Sequence, residues 1–210
     1  MSRVFNYGDN HIFVCGLTRS GKSRFTRSLL VKSKYPVLYF NIQGEKVENG
    51  FMRIDAGNIT SKQLIELLDE HKAKINLCFS DMRNAYRYTA GHLLDVLMMS
   101  GFSDKNPIYV VIDECHLLKG LSLEMAKVCA TAGLKKGVRL VFITQRPANA
   151  DKTLYTQSYE QYIFETGEAE RGYFKDKGVD FDRCRELWAK NGKYSYCYFN
   201  GYALEGYKSI

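Results

Sequence analysis

The sequence predicts an α/β fold in which helices flank a mostly parallel central sheet. Short apolar runs alternate with amphipathic stretches along the chain, and this alternation is typical of strand–helix–strand units. Residues 108–112 are apolar at every position, which indicates a strand buried on both faces, as at the centre of a parallel sheet. The content of 45% hydrophobic and 25% charged residues is ordinary for a globular protein and excludes disordered, collagen-like and coiled-coil chains.

The predicted elements follow one another in a regular order. Strands are predicted at residues 11–15, 36–41, 51–54, 75–79, 108–112, 138–144 and 162–164. Helices are predicted at about 22–32, 61–72, 85–99, 121–135, 168–175 and 182–190. Ser61 is the expected N-cap of the second helix, because a serine hydroxyl can accept a hydrogen bond from the first helical turn.

The end of the chain departs from this order. Residues 193–199 and 202–207 flank Asn200-Gly201, a dipeptide typical of a type I′ hairpin turn. The sequence contains no internal repeat and no linker-like stretch. We therefore expect one domain over residues 1–210 that ends in a β-hairpin at about 193–208.

The cysteines and the N-terminus favour an intracellular protein. The six cysteines are widely spaced and form no CxxC pair, so most are expected to act as small buried hydrophobes. A zinc site at Cys115, His116 and Cys129 is the alternative, but adjacent residues on one element diverge and do not readily share a metal. The first six residues lack the apolar core of a signal peptide, and the longest apolar runs are too short to span a membrane.

A glycine-containing loop follows the first strand and leads into the first helix. Residues 16–23 read Gly-Leu-Thr-Arg-Ser-Gly-Lys-Ser and match GxxxxGK[ST], a pattern whose backbone N–H groups enclose a phosphate at a helix N-terminus. Lys22 is expected to reach the β- and γ-phosphates, and the Ser23 hydroxyl to bind Mg²⁺. The alternative is an ordinary glycine turn. The predicted nucleotide-binding residues are Gly16, Leu17, Thr18, Arg19, Ser20, Gly21, Lys22, Ser23 and Arg24.

Two further strands end in polar residues suited to hydrolysis. Asp113 and Glu114 follow the apolar strand 108–112, and an acid in that place holds Mg²⁺ in the Walker-B arrangement. Glu114 is the expected general base, because a carboxylate beside the metal-binding acid can polarise the attacking water. Gln145 follows the strand 138–144, where its amide can hydrogen-bond the γ-phosphate or the attacking water. Taken singly, Glu114 is also consistent with an exposed acid, and Gln145 with a strand-to-loop turn.

The order of these three motifs resembles the FtsK–HerA superfamily of P-loop ATPases. The sequence strand–GLTRSGKS–helix is followed by VVIDE and then by LVFITQRP, within residues 11–166. The resemblance implies the additional-strand, catalytic-glutamate class of P-loop NTPase, with residues 75–79 as part of the extra-strand topology. It also implies ATP and Mg²⁺ as cofactors. The residues that it implies are Lys22, Glu114 and Gln145 in catalysis and Ser23 and Asp113 as metal ligands.

The length of the chain outside the motifs indicates which members of the superfamily it resembles. About ten residues precede the first strand, so we expect neither the membrane helices of a chromosome-pumping FtsK nor the N-terminal β-barrel of HerA. A single motor domain of this size resembles the genome-packaging ATPases of membrane-containing icosahedral viruses with double-stranded DNA. That resemblance implies a homo-oligomeric ring, sequence-independent binding of double-stranded DNA, and docking on a capsid vertex or a membrane protein, without a membrane span of its own. It places the protein in the host cytoplasm and at the packaging vertex of the virion.

Ring ATPases of this kind take an arginine from a neighbouring subunit, and the sequence leaves the identity of this arginine open. Family members often carry it just before the Gln strand, where this chain has Lys135. Arg146, directly after Gln145, and Arg171, after the next predicted strand, are the two candidates for this arginine finger. A solvated surface charge is the alternative interpretation of each.

Charge and tyrosine content favour a DNA partner without requiring one. The formal net charge is +7, and Lys and Arg dominate non-specific affinity for DNA. Tyrosines near the C-terminus can stack on bases, although cross-strand packing in a half-buried hairpin is the favoured interpretation. These tyrosines are Tyr194, Tyr196, Tyr198, Tyr202 and Tyr207. Three other functions stay open: a plasmid-transfer or extrusion ATPase of the same superfamily, a small-molecule kinase, and a nucleotide-gated DNA-binding or assembly module with negligible turnover.

Overall fold

The structure is a computed structural model that describes residues 10–42, 50–79, 82–99 and 101–208. The strands are β1 (His11–Cys15), β2 (Val37–Asn41), β3 (Met52–Asp55), β4 (Lys74–Cys78), β5 (Ile108–Ile112), β6 (Val138–Thr144), β7 (Ser158–Phe164), β8 (Ser195–Phe199) and β9 (Leu204–Lys208). The helices are α1 (Lys22–Leu30), α2 (Ser61–Asp69), α3 (Met82–Met99), α4 (Leu121–Ala132), α5 (Lys152–Thr156), α6 (Arg171–Asp176) and α7 (Phe181–Asn191). Within these ranges, no helix combines the length and the apolar character that a membrane span requires. Residues 1–6, on which the expectation about a signal peptide rests, lie outside the described residues.

The strands form one sheet in the order β3-β4-β2-β5-β6-β1-β7-β8-β9. β1 to β7 run parallel to one another, whereas β8 and β9 extend the sheet as an antiparallel hairpin beside β7. The predicted mostly parallel α/β sheet with a terminal hairpin is therefore confirmed. One strand, β6, separates β1 from β5. The prediction that residues 75–79 belong to the extra-strand topology is wrong. The strand between β1 and β5 is β6, whereas β4 lies between β3 and β2.

The central strands are buried on both faces of the sheet. Every residue of β1, β2, β5 and β6 is buried, which explains their uninterrupted apolar runs. Phe13 and Cys15 pack into one hydrophobic cluster, and Ile12 and Val14 pack into a second one, because successive side chains of a strand point to opposite faces. Burying such a side chain stabilises the fold by about 1.5–3 kcal/mol. These strands therefore hold the loops that follow them in fixed positions.

The N-cap of α2 was predicted one residue too late. Thr60, rather than Ser61, caps this helix, and its hydroxyl accepts a hydrogen bond from the backbone N–H of Gln63 (3.3 Å). In return, Gln63 Oε1 accepts a hydrogen bond from the backbone N–H of Thr60 (3.0 Å). This reciprocal capping box satisfies two backbone donors, which a cap at Ser61 would leave to solvent.

The hairpin is present, but its turn is not of type I′. The strands pair as far as Phe199 and Leu204, so the turn contains residues 200–203. Asn200 Oδ1 accepts hydrogen bonds from the backbone N–H groups of residues 202 and 203 (3.1 and 2.9 Å), and Gly201 alone in this turn has a positive φ, of 85°. A type I′ turn needs two residues with positive φ. The Asn side chain instead organises a longer loop.

The tyrosines of the hairpin divide into a packed set and an exposed set. Tyr196 and Tyr198 are buried, and the ring of Tyr196 stacks on that of Tyr207 across the strands, with the centroids 5.6 Å apart. The preferred interpretation, cross-strand packing, is confirmed for these residues. Tyr194 and Tyr202 are 46% and 89% exposed, so their rings are accessible to a ligand or a partner.

His11 connects β1, β6 and α4 through its imidazole ring. It lies at the start of β1 and is fully buried. Its Nδ1 accepts a hydrogen bond from the backbone N–H of Leu140 in β6 (2.9 Å), and its Nε2 donates to the carbonyl oxygen of Ala130 in α4 (3.0 Å). These bonds require a neutral ring. Burial lowers the pKa of His11 to about 4.

We expect the free energy of unfolding to fall as the pH drops from about 6.5 to about 4. An unfolded histidine has a pKa of about 6.5, so in this window the unfolded chain binds a proton that the folded chain excludes. The contribution of neutral His11 to the free energy of unfolding is fully present above pH 6.5. It decreases by about 3 kcal/mol as the pH falls from 6.5 to about 4. Urea unfolding of the wild type at several pH values measures it.

The matched variants are His11→Asn and His71→Asn, the second at an exposed position on the same chain. His11→Asn is expected to flatten the pH dependence, whereas His71→Asn keeps the wild-type slope. Part of the slope persists in His11→Asn, because burial also lowers the pKa of His92. Equal slopes for the wild type and His11→Asn would show that His11 is not the titrating group.

Candidate functional site

The predicted site residues meet at one edge of the sheet. β1 leads into the loop of residues 16–21, β5 ends beside Asp113, and β6 ends beside Gln145. These three strands are parallel and adjacent, in the order β5-β6-β1. The carboxyl ends of adjacent parallel strands lie at the same edge, where α/β sheets bind their ligands. The structure therefore brings together motifs that are up to 130 residues apart, roughly the distance from Gly16 to Gln145.

Backbone contacts fix the start of the phosphate loop. The N–H of Gly16 donates to the carbonyl oxygen of Thr144 (3.3 Å), and the N–H of Leu17 donates to that of Glu165 (2.7 Å). Gly16 has a φ of 152°, and a Cβ at this position would lie 2.5 Å from Cβ of Phe164. No side chain fits there, so glycine is required by both the backbone angle and the close approach of β7.

The other end of the loop presents donors to an anion. Gly21 is the N-cap of α1, with a φ of 102° and no side chain to cap the first turn. The N–H groups of that turn are therefore open to an anion. Lys22 begins the helix, is 6% exposed, and donates from Nζ to the carbonyl oxygen of Leu17 (2.8 Å). The Ser20 hydroxyl is buried and makes no hydrogen bond with another described residue.

These features fit a bound phosphate. A phosphate oxygen would give the Ser20 hydroxyl an acceptor, and Lys22 already lies against the loop that would enclose it. The chain also supplies the oxygen ligands that Mg²⁺ prefers, from the hydroxyl of Ser23 in the first turn of α1 and the carboxylate of Asp113. Arg24 is exposed on the same turn.

Asp113 is held by a residue that sequence reasoning missed. It is 6% exposed, and the Tyr39 hydroxyl donates a hydrogen bond to its Oδ2. Asp113 Oδ1 accepts from the backbone N–H of Glu114 (3.0 Å). Tyr39 lies on β2, next to β5. Because this contact depends on strand order, the local sequence contains no signal for it.

Glu114 has an unusual backbone conformation and a defined orientation. Its φ is 54° and its ψ is 47°, a left-handed conformation that costs a non-glycine residue about 1–2 kcal/mol. Its Oε2 accepts a hydrogen bond from the backbone N–H of Gln145 (3.4 Å) and lies 3.2 Å from Nδ1 of His116. Strained backbone of this kind is concentrated at functional sites.

His116 connects the ends of β5 and β6. Its Nδ1 lies 2.9 Å from the Thr144 hydroxyl as well as 3.2 Å from Glu114 Oε2, and the Thr144 hydroxyl accepts from the backbone N–H of Arg146 (3.0 Å). The sequence predicted a role for His116 only as a ligand in the alternative zinc site. The contact of His116 with Thr144 depends on the position of β6 beside β5, which no local sequence pattern specifies.

The zinc alternative finds no support among the described residues. Cys115 and Cys129 are buried, and burial raises the pKa of the Cys129 thiol to about 12. Burial also raises the pKa of Cys115 well above its ordinary value. Zinc binds the thiolate form. In the described part of the chain, the grouping that could ligate a metal consists of Glu66, Glu70 and His71 on the exposed surface of α2 and after it.

Gln145 links the phosphate loop to Glu114. The Thr18 hydroxyl donates a hydrogen bond to Gln145 Oε1, while the backbone N–H of Gln145 donates to Glu114. A residue with these two contacts is connected both to the loop that would hold phosphate and to the carboxylate that would activate water. The role of Gln145 as a γ-phosphate sensor stays a prediction.

The two candidate arginines have different surroundings. Arg146 is exposed, and its guanidinium makes no hydrogen bond or ion pair with another described residue. Arg171 donates from Nη1 and Nη2 to the carboxylate of Asp182 (2.8 and 2.9 Å) and from Nε to Glu168. Its guanidinium also lies 5.0 Å from the centroid of Phe181. All three donor nitrogens of Arg171 are therefore engaged within its own chain.

Comparison with solved structures identifies proteins that share the fold of this chain. No model of a protein family and no curated protein matches the chain. The genome-packaging NTPase B204 from Sulfolobus turreted icosahedral virus 2, solved with AMPPCP, matches with a TM-score of 0.64 at 13% identity, over 96% of this chain and 98% of that one. The chain therefore shares the P-loop NTPase fold of this protein. The predicted fold class is confirmed.

Other P-loop ATPases share this fold as part of longer chains. The pCW3 conjugation coupling protein TcpA, solved with ATPγS, has a TM-score of 0.56 at 14% identity, over 97% of this chain and 60% of that one. EccC from Thermomonospora curvata, comprising ATPases 2 and 3, has a TM-score of 0.54 at 14% identity, over 95% of this chain and 38% of that one. The P-loop ATPase fold is thus common to proteins named for genome packaging and for conjugation.

Proposed function

We propose that the chain is an ATPase subunit that drives double-stranded DNA, as a motor that packages a viral genome into its capsid. The observation that carries the proposal is the connection of Glu114, Gln145 and the phosphate loop at one sheet edge. A loop that encloses phosphates, a metal-binding acid and a carboxylate for water together make a hydrolase. A small-molecule kinase would not need Glu114 to be anchored beside Gln145.

Each residue has a separate task in the proposed reaction. Ser23 and Asp113 would hold Mg²⁺, which would offset the charge of the phosphate oxygens, and ATP would supply the phosphoryl group. Lys22 would hold the β- and γ-phosphates, since its ammonium already lies against the loop. Glu114 would accept the proton of the attacking water, and the side chain of Gln145 would contact the γ-phosphate.

Support for DNA as the partner comes from charge and from the related folds. The formal net charge of +7 favours a polyanion. B204 is named a genome-packaging NTPase and spans nearly the same length as this chain, with 96% and 98% of the two chains covered. We therefore favour a packaging motor, acting as a homo-oligomeric ring at a capsid vertex or membrane protein in the host cytoplasm. Transfer of plasmid DNA is the second candidate, which the TcpA fold favours.

We expect double-stranded DNA of any sequence to stimulate ATP hydrolysis. The contacts are expected to be with the DNA backbone, so the affinity should fall steeply, by about ten-fold or more, between 50 and 200 mM salt. Phosphate release with and without DNA, together with a filter-binding series in salt, measures both properties. Two unrelated DNA sequences of equal length serve as the sequence control.

The alternatives give different results in the same assays. A small-molecule kinase releases little phosphate until its acceptor is added, and DNA does not stimulate it. A nucleotide-gated assembly module binds DNA and ATP but turns over negligibly. A strong preference for one DNA sequence, or a flat salt dependence, would contradict a translocase.

A further inference from the structure

A pocket of about 260 Å³ opens beside the phosphate loop. Three segments line it: residues 17–20 of the loop, Glu165 after β7, and residues 192–195 before β8. β8 runs antiparallel to β7, with Tyr196 beside Phe164. The start of β8 therefore lies at the same edge of the sheet as the end of β1.

The sheet order gives this pocket a defined relation to the proposed nucleotide. Glu114 and Gln145 follow β5 and β6, which lie on one side of β1, whereas β7 and β8 lie on its other side. The γ-phosphate must face Glu114 and Gln145 for hydrolysis. The nucleoside end of the same molecule therefore extends past the loop toward β7 and β8, where the pocket lies.

Tyr194 presents an aromatic ring at this pocket. Its ring lies against Gly21 of the phosphate loop, because a Cβ at Gly21 would be 3.2 Å from Cδ1 of Tyr194. The residue is 46% exposed and has a φ of 65°. A bulky side chain with positive φ is a strained conformation, and such strain is concentrated at ligand clamps and active sites.

Charged groups around the ring suit a nucleotide. The Lys193 ammonium lies 4.8 Å from the centroid of the Tyr194 ring, and Arg19, with a φ of 62°, lines the same pocket. Both cations are exposed and would attract the phosphates. Glu165, also exposed, lines the same pocket, and a carboxylate can accept a hydrogen bond from an exocyclic amino group of a base.

We propose that this pocket binds the nucleobase of the nucleotide and that Tyr194 is the surface on which the base stacks. The proposal rests on the proposed function, since it assumes that the loop holds the phosphates. Aromatic side chains stack on any base face. A base in this pocket would therefore stack on the ring of Tyr194, which lies next to Gly21. Tyr194 is therefore a binding residue, and it takes no part in water activation.

The test compares ATP with inorganic tripolyphosphate, each with Mg²⁺, by calorimetric titration of the full chain. Tyr194→Ala is expected to weaken ATP binding by about ten-fold and to leave tripolyphosphate binding unchanged, because tripolyphosphate has no base. Tyr194→Phe keeps the ring and should bind ATP like the wild type. Tyr202→Ala, at the exposed tip of the hairpin, is the matched control and should change neither affinity.

Each contrary result has a distinct meaning. Unchanged ATP binding by Tyr194→Ala, or an equal loss of ATP and tripolyphosphate binding, overturns the base pocket while leaving the ATPase intact. Loss of DNA binding by Tyr194→Ala with normal ATP affinity also overturns it, since the ring would then belong to the DNA surface. If the wild type binds neither ATP nor tripolyphosphate, the proposed function itself fails.

Discussion

Glu114→Gln is expected to lower the maximal rate of ATP hydrolysis by about 10²–10⁴-fold, the usual contribution of a general base, while ATP affinity stays close to that of the wild type. The amide oxygen of the glutamine can still accept the hydrogen bond that the backbone N–H of Gln145 now donates to Glu114 Oε2. The amide cannot take a proton from water. The substitution therefore removes the chemistry and keeps the size and the contact.

Two further variants serve as controls for the effect of Glu114→Gln on ATP hydrolysis. Glu66→Gln changes an exposed acid on α2 and should hydrolyse ATP like the wild type. Lys22→Ala should lose nucleotide binding, because it removes the ammonium that lies against the phosphate loop. Phosphate release at saturating ATP and binding of ATP are measured separately for each variant. Near-normal turnover by Glu114→Gln would exclude this residue as the base.

The parts of the site that the sequence predicted are the parts built locally. The glycine loop between β1 and α1 carries its own geometry, because Gly16 and Gly21 adopt the positive φ values that the loop needs. Asp113 and Gln145 were predictable because each directly follows an apolar run. Parallel strands then bring their ends together without further information from the sequence.

The parts that the sequence did not predict depend on contacts between distant elements. Tyr39 reaches Asp113, and His116 reaches Thr144, across neighbouring strands whose order no local pattern specifies. The predicted place of the strand at residues 75–79 in the extra-strand topology was wrong for the same reason. Tyr194 was predicted as part of a half-buried hairpin, but it precedes β8 and faces the phosphate loop.

The site is a connected set of hydrogen bonds rather than three separate motifs. Thr18 on the phosphate loop contacts the Gln145 side chain, the Gln145 backbone contacts Glu114, and Glu114 lies beside His116. We therefore expect a phosphate bound at the loop to alter the end of β6. That end continues into Arg146, which is exposed. In the proposed ring, we expect the loop after Gln145 to contact the neighbouring subunit.

Arg146→Ala is expected to lose about 10³-fold or more in turnover without losing ATP affinity, the effect of removing an arginine finger. The structure distinguishes the two candidates. Arg171 would have to break a paired contact with Asp182 to reach a neighbour, whereas Arg146 is exposed beside Gln145. Arg171→Ala is therefore the matched arginine control and should keep most of the turnover. Steady-state rates and ATP affinities of both variants decide between them.

A mixing experiment tests whether Arg146 acts on a neighbouring subunit. Arg146→Ala keeps Glu114, and Glu114→Gln keeps Arg146, so a mixed ring contains some sites with both groups. Combining the two inactive proteins should restore part of the activity, and the specific activity of the wild type should rise with protein concentration as rings form. If the mixture stays inactive while dilute wild-type monomer hydrolyses ATP at the full rate, each subunit has a complete site and Arg146 is not a shared finger.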